Sequence, residues 1–453
     1  MKKYSPLFFI ILIIGTFFAF FMLGHGAFID NDEAFYAQTV RESLEHNNFI
    51  TLTHSGNNWF DKPPLVFWFV IGSVKIFGYN EFALRFPIAL SLVLCLFLTY
   101  LCTYELTNNK RTAIIASLVL LTTGLFWEAG RQLRLDVPVT ACVLFSFYSY
   151  LKGLKNPRWF LGIGVGFGLG IMTKSVIGLL SIPVIIIYSI FYKKWNYLRD
   201  RNFYCGLLLG AVIGLPWHIY EWLKYPTDFY NLYIVKFIFT RIHENILGGV
   251  STNANYIINL FTYYEPWIII ALICIFCSKM KLPRVFLIIC FCLFAVFFVS
   301  STKLLYYFVP IYPFMAIFIA LSLDSIFSFI EMYHTRYKDF VIFLYSLLFI
   351  FALITSIYTT FGLGDNYFSE VKRLATQEKI IGELIAKNST TIPIYIYNYF
   401  YWDTIVYYSG GRKIEVFDEK TATRPFYLIL SSQLKINADN LYKGDNLSLF
   451  YVH

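Results

Sequence analysis

Long apolar runs broken by short charged loops set the pattern of this chain from Leu7 to Phe361. Such runs are read at about 7–24, 82–104, 112–127, 136–151, 159–173, 176–192, 203–222, 254–277, 283–299, 304–323 and 340–361. Most are long enough to cross a hydrocarbon layer of about 30 Å as a helix, and the pattern predicts eleven spans. The stretch from Trp159 to Tyr192 is too long for one helix and carries Thr173-Lys174-Ser175 at its centre, which predicts two short helices meeting at a membrane face. Beyond Phe361 the periodicity changes. Tyr367 to Asn388 places Val371, Leu374, Ile380, Ile381 and Leu384 on one side of an amphipathic helix, and strand-like runs follow at 392–397, 413–417, 426–430 and 447–452. The expected architecture is an α-helical polytopic membrane domain of 11 to 13 transmembrane helices at 1–363, with an outer first loop at 25–81 and a small extracytoplasmic α/β domain at 364–453.

Composition agrees: 58% hydrophobic and 14% charged residues over 453 positions exclude an ordinary soluble globule. Met1-Lys2-Lys3 before Leu7 to Leu23 resembles a signal peptide, but the apolar run exceeds a signal core and lacks a small-residue cleavage site, so it reads as an anchoring first span. The net charge of +9 is scattered through inter-helix loops and does not point to nucleic acid. All eight cysteines fall within predicted spans, and Cys274-Ile-Phe-Cys277 has no His or acidic company, so they read as buried structural thiols. Basic residues gather in alternate loops, at Lys2 and Lys3, Lys110 and Arg111, Lys152 to Arg158, Lys193 to Arg201, Lys279 to Arg284, and Arg336 with Lys338. The positive-inside rule makes those loops cytoplasmic, with the amino terminus inside and the tail outside.

The opposite loops mix acids, bases and aromatics. Asp30, Asp32 and Glu33 repel one another, which raises the pKa of at least one or calls for a cation; a helix cap at Asp32 is the plain alternative. In Trp59-Phe60-Asp61-Lys62-Pro63-Pro64 the prolines hold the backbone extended and present the charged pair at a fixed angle. Lys62 is a compact cation suited to a phosphate, or else a snorkelling anchor. Arg131-Gln132-Leu133-Arg134-Leu135-Asp136 sets two arginines beside one acid, as a phosphate anchor or a self-satisfied ion pair. Lys174, Arg241 with His243, and Lys303 ahead of Tyr306 and Tyr307 are further cations at outer span ends.

Taken together, Asp32-Glu33-Ala34-Phe35-Tyr36-Ala37, Trp59 to Leu65, Phe77-Gly78, Arg85-Phe86-Pro87, Arg131 to Asp136, Met172-Thr173-Lys174, Leu215-Pro216-Trp217 and Lys303 to Tyr307 resemble, in order, the signature of the polyprenyl-phosphate-sugar-dependent GT-C glycosyltransferases. These include the bacterial aminoarabinose transferases of lipid A and, more distantly, the protein O-mannosyltransferases. The resemblance implies a GT-C membrane fold in the bacterial inner membrane and transfer of a sugar from a polyprenyl phosphate to an envelope acceptor on the periplasmic face, lipid A or lipopolysaccharide first. It implies catalytic roles for Asp32, Glu33 and Asp136. It implies donor contacts from Lys62, Asp61, Tyr36, Arg131, Arg134, Lys174, Arg241, Lys303 and Tyr306. The chain has Asp61 where the aminoarabinose transferases tend to have Glu, and Arg241-Ile242-His243 matches their His-containing segment only loosely. No cofactor is required by the sequence; a divalent metal, if present, would fall on Asp61 and His243.

In such a reaction the leaving phosphate needs positive charge, which Lys62, Lys174, Arg131 and Lys303 supply. An acceptor hydroxyl needs a base, Asp32 first and Asp136 second. Two rival classes are a lipid-linked sugar transporter and a non-catalytic assembly partner. A transporter would place ionisable groups near mid-membrane within repeats, whereas here the charges gather at outer span ends.

Overall fold

The computed structural model describes residues 5–28, 31–240, 267–277, 281–301, 303–333, 367–388, 391–397, 402–431 and 438–453, with isolated positions between. The apolar runs fold as helices, in chain order α1 (Pro6–Phe20), α2 (Asn31–Glu45), α3 (Leu65–Phe77), α4 (Glu81–Thr107), α5 (Lys110–Leu121), α6 (Gly124–Gly130), α7 (Asp136–Gly153), α8 (Leu161–Lys174), α9 (Ser181–Tyr192), α10 (Arg201–Gly214) and α11 (Pro216–Lys224). Further helices follow at Trp267–Cys277, Lys281–Phe298 and Tyr312–Tyr333. Among the described residues, Glu81–Thr107, Pro157–Tyr192 and Lys281–Phe298 are long and apolar enough to cross a membrane. The bent pairs α5–α6 (69°) and α10–α11 (41°) bring the number to five. The expected span at 340–361, and the part of the expected 254–277 before Trp267, lie almost wholly outside the described residues. The chain is a multi-pass membrane protein.

One feature agrees with the span reading and one departs from it. Trp159–Tyr192 breaks at Lys174 as expected: α8 ends there, Ser175 takes φ +51°, and a 3-10 turn over Ser175–Leu180 folds back so that Gly178 lies against Gly170 before α9 begins. The first loop contains α3, whose 13 residues reach roughly 20 Å, too short to span. Its Phe69 and Ile76 are exposed.

The chain divides into two compact units, one of Met1–Phe21, Phe60–Val66 and Phe86–Phe361, the other of Met22–Trp59, Phe67–Arg85 and Gly362–His453. In the first, α8 packs on both α7 and α10 through glycine. A Cβ on Gly164 would lie 1.6 Å from the Gly206 carbonyl oxygen of α10, and one on Gly166 would lie 2.1 Å from Ser146 Oγ of α7. Backbones this close leave no room for a side chain, so the alternating glycines of Leu161–Lys174 set the helix spacing.

In the second unit, the strands β3 (Ile394–Tyr397), β4 (Glu415–Val416), β5 (Phe426–Ser431), β6 (Asp439–Lys443) and β7 (Leu447–Val452) form a sheet in the order β4-β3-β5-β7-β6, following a two-residue-per-strand hairpin of β1 (Thr53–His54) and β2 (Asn57–Asn58) in the first loop. β3 runs parallel to β4 and β5, while β7 is antiparallel to β5 and β6. The helix Tyr367–Asn388 and the short helix Asp403–Tyr408 cover it with a core that includes Ile381, Ile385, Ile405, Ile429 and Leu449. Each such buried aliphatic contributes roughly 1.5–3 kcal/mol. The first loop is joined to this domain within the unit. Arg41 lies against the stacked rings of Tyr79 and Tyr407, 5.3 and 4.6 Å from their centroids, and donates to the Tyr407 carbonyl at 2.8 Å. Glu81 receives Lys379 Nζ at 2.7 Å and the Tyr408 hydroxyl at 3.0 Å.

Arg85, on the first turns of α4, is the hub of the loop. It donates from Nε and Nη2 to the two oxygens of Glu33, at 2.7 and 3.0 Å, and to the carbonyls of Leu23, His25 and Ala27. Two residues on, Pro87 lacks the N–H that would have bonded Ala83, and Ser73 Oγ of α3 fills the gap by donating to that carbonyl at 2.6 Å.

A residue with a side chain at 164 should fail where one at 72 succeeds. Gly164→Leu should cost 1–3 kcal/mol or more by overpacking, at roughly the scale seen in cores. Gly72→Ala, with open space around the added Cβ, should leave stability within about 0.5 kcal/mol; thermal unfolding of both purified variants checks the contrast.

Burial raises the Glu378 carboxyl from 4.5 to about 7, although the Tyr399 hydroxyl donates to it at 2.6 Å. Between those values the folded carboxyl keeps a proton that the unfolded chain has released, so this group's contribution is full below pH 4.5 and is lost as pH rises through 7. The expected result is a melting temperature of the wild type that falls between pH 5 and 8 relative to Glu378→Gln, measured by calorimetry on the whole protein.

Candidate functional site

The described site is built where two helix ends meet. Asp136 is the first residue of α7, where an acid complements the helix dipole, and Lys174 is the last of α8, where a cation does the same. Their side chains meet at 2.5 Å, Lys174 Nζ donating to Asp136 Oδ1. Arg134 Nε lies 3.7 Å from Asp136 Oδ2, and its guanidinium stacks 3.5 Å from the Tyr306 ring centroid. Asp136 and Arg134 are 4% and 3% exposed, so both charges are withdrawn from water and depend on each other.

Next to this cluster opens a cavity of about 200 Å3. Its polar part carries Asp61, Lys62, Lys174, Ser175, Tyr233, Ser300 and Tyr307, and its apolar part Val176, Ile177, Phe237, Ile238, Val296 and Phe297. Lys62 Nζ is 2.6 Å from Asp61 Oδ1 and 5.6 Å from the Phe237 ring centroid. Among the described residues, Lys62, Lys174 and Arg134 stand against Asp61 and Asp136 here, with Lys303 beside them on the Ser300 carbonyl. An excess of positive charge next to an apolar wall suits an anion with a hydrocarbon tail.

Behind the wall runs a hydrogen-bond chain. His218 Nδ1 is 2.9 Å from the Gly214 carbonyl, His218 Nε2 is 2.8 Å from the Tyr233 hydroxyl, and that hydroxyl donates to Ser175 Oγ at 2.9 Å. Ser175 holds this place with φ +51°, a conformation usually left to glycine.

The remaining candidates have other placements. Glu33, expected among the catalytic acids, is fully buried with both oxygens on Arg85, which makes it a strut of the first loop. Arg131, expected at a phosphate, instead donates to the carbonyls of Phe18, Ala19 and Phe21 and so caps the carboxyl end of α1. Asp32 is the second residue of α2, half-buried, and therefore past the capping position. Tyr36 is buried among Phe35, Trp59 and Phe67. Lys303 donates to the carbonyl of Ser300, a cavity residue, at 2.7 Å. Asp30 and Arg241 lie outside the described residues. For a metal, the donor set at Asp61 fits the Lys62 ammonium it already holds, and His243 is exposed; among the described residues no three of His, Cys, Asp and Glu converge.

Sequence reading left out Tyr233, Phe237, Ser300 and the role of His218. His218 directly follows the Leu215-Pro216-Trp217 motif, a signal that was present; Tyr233 and Phe237 sit in an aromatic-rich stretch where no residue stands out.

Residues 61–220 match the family described as dolichyl-phosphate-mannose-protein mannosyltransferase. An uncharacterized protein of Aquifex aeolicus is 26% identical over 337 residues, 72% of this chain and 64% of its own length. The undecaprenyl phosphate-alpha-4-amino-4-deoxy-L-arabinose arabinosyl transferase 1 of Pseudomonas fluorescens is 29% identical over 317 residues, 66% of this chain and 54% of its own length. The chain thus spans less than two thirds of these relatives. Among solved structures, ArnT from Cupriavidus metallidurans bound to undecaprenyl phosphate superposes with a TM-score of 0.74 at 17% identity, over 98% of this chain and 97% of that one. The Archaeoglobus fulgidus oligosaccharyltransferase follows at 0.60 and 12% identity, over 94% and 70%. A membrane helix bundle with a small terminal sheet, alignable over nearly its whole length, and a motif order matched in sequence together give the conclusion that this chain has the GT-C glycosyltransferase fold and resembles the aminoarabinose transferases.

Proposed function

We propose that the chain is a membrane glycosyltransferase of the bacterial inner membrane that takes a sugar from a polyprenyl phosphate on the periplasmic side and places it on an envelope acceptor, lipid A first. The observation that carries this reading is the cavity with two lysines at its polar end and an apolar wall, the two chemistries that a polyprenyl phosphate combines. The printed names of the relatives make 4-amino-4-deoxy-L-arabinose the first sugar to test. The amino terminus is cytoplasmic and the terminal α/β domain, residues 364–453, periplasmic, a reading that rests on the alternation of basic loops.

In this mechanism the bond that breaks joins the anomeric carbon to the lipid phosphate. Lys62 and Lys174 stabilise the charge growing on the departing phosphate, in a setting that excludes most water and so strengthens each contact. Asp136, engaged by Lys174 and Arg134, orients Lys174. Asp32 takes the proton of an acceptor hydroxyl; an acceptor phosphate would need only to be positioned.

Reconstituted protein should convert undecaprenyl-phospho-sugar and lipid A to glycosylated lipid A and undecaprenyl phosphate, read by mass spectrometry. Turnover with protein but not lipid A would move the acceptor to a polypeptide, and no turnover of any donor would overturn the enzyme reading.

Asp32→Asn should accumulate normally yet lose at least ~100-fold in kcat. Glu33→Gln should show the reverse, with less folded protein from breaking a buried pair worth about 3–5 kcal/mol, and with the surviving molecules active. Comparable turnover per folded molecule in both variants would remove the distinction.

Lys62→Ala should raise the donor KM by roughly 10–100-fold, the worth of a charge-assisted hydrogen bond. Lys62→Arg should recover little of that loss, because a planar fork does not replace a compact ammonium next to Asp61. Donor titrations decide it: full activity in Lys62→Arg with a mild loss in Lys62→Ala would mark an interfacial anchor instead.

A further inference from the structure

The chain His218–Tyr233–Ser175 can satisfy every contact with the imidazole either charged or neutral, but the two charge states run the chain in opposite directions. The Gly214 carbonyl only accepts, so Nδ1, 2.9 Å away, carries a proton. The Tyr233 hydroxyl has a single proton, and it is donated to Ser175 Oγ at 2.9 Å. The contact of 2.8 Å between Tyr233 and His218 Nε2 is then a hydrogen bond only if Nε2 is protonated as well, which makes the ring an imidazolium. In the neutral ring the tyrosine proton turns to Nε2, and Ser175 must give its own proton to Tyr233. The same heavy-atom positions therefore serve two opposite polarities.

We propose that His218 is a positioning residue whose proton sets the polarity of Tyr233 and Ser175 and so decides whether the cavity offers a donor or an acceptor to its ligand. With His218 charged, Tyr233 is committed to Ser175, and the Ser175 hydroxyl is left to donate into the cavity, toward an anionic oxygen. With His218 neutral, Ser175 turns its lone pairs outward, which an anion repels. Binding of a phosphate thus takes up a proton from solvent onto His218, and release of the phosphate returns it.

Two further observations support the assignment. Ser175 lines the cavity beside Lys174 and carries a positive φ, where glycine would sit without strain, so the backbone is held in a costly shape that aims this hydroxyl. No carboxylate is paired with His218 among the described contacts. The charged groups around the chain are Asp61, Lys62 and Lys174 in the cavity and, on His218's own helix, the buried Glu221 and the exposed Lys224. A polarity set from behind the wall complements the lysines in front of it, because a hydroxyl adds direction where an ammonium adds only charge.

The inference rests on the donor-phosphate reading of the cavity, and its test separates the two. The full chain, purified in nanodiscs, is titrated with undecaprenyl phosphate between pH 5.5 and 8.5 by tryptophan fluorescence, alongside Ser175→Gly, Tyr233→Phe and His218→Gln. The ligand's own ionisation is shared by all four proteins and divides out of affinity ratios. At pH 6 each variant should bind roughly tenfold more weakly than wild type, the worth of one hydrogen bond to a charged group. That ratio should shrink toward one at pH 8.5, where wild type has lost the proton. Ser175→Gly should melt no lower than wild type, since glycine relieves the strained φ. The double variant Tyr233→Phe with Ser175→Gly should bind no more weakly than either single, as expected for members of one chain. A ratio that stays constant with pH, or wild-type affinity in Tyr233→Phe, would overturn the role of His218 while leaving the phosphate site standing. Failure of the wild type to bind undecaprenyl phosphate at any pH would overturn both.

Discussion

Asp136 and Lys174 hold each other at the junction of two helix ends, where the carboxylate is buried and the ammonium keeps part of its surface in the cavity. Each is favoured there by its own helix, and together they fix the amino end of α7 against the carboxyl end of α8. Everything described around the cavity depends on that junction. It ends α8 at Lys174, it puts Ser175 into its unusual backbone conformation, and it starts the 3-10 turn whose Val176 and Ile177 form part of the apolar wall. The glycine contacts between α8 and its neighbours serve the same end, since a wider spacing would carry Lys174 away from Asp136.

Charge elsewhere in the chain is divided between residues enclosed in the architecture and residues left facing the cavity. Glu33 and Arg85 are enclosed together, with five hydrogen bonds from one guanidinium, and such a group has no capacity left for a substrate. Arg131 is spent on the last carbonyls of α1. Lys62 and Lys174 keep part of their surface in the cavity, with side chains 9% and 15% exposed, and pair with Asp61 and Asp136 respectively. Partial dehydration makes such cations strong partners for an anion that can displace the remaining water.

Much of this was legible in the sequence because hydrophobic run length is a physical ruler: the apolar helices among the described residues, the amphipathic helix at 367–388 and four of the five strands of the terminal sheet follow from period and length alone. β6 was not legible, since Asp439–Lys443 is a bulged edge strand with almost no apolar alternation. α3 was hidden by its shortness. The lysines and acids of the site could be named from their rarity in apolar surroundings, but rarity does not reveal partners. Glu33 and Asp32 are neighbours in sequence, and only the fold shows that one is enclosed by Arg85 and the other is not. Tyr233 and Ser175 are 58 positions apart, and no local pattern announces a hydrogen bond across that distance.

The bond from Ser73 to the carbonyl that Pro87 leaves bare bears on how the first loop can move. A sliding of α3 along α4 by even one residue would strand that oxygen without a partner in apolar surroundings, while also pulling Arg85 off its collar of loop carbonyls. The two helices are therefore keyed, like a bolt in a single slot: α3 cannot creep lengthwise along the first turn of α4.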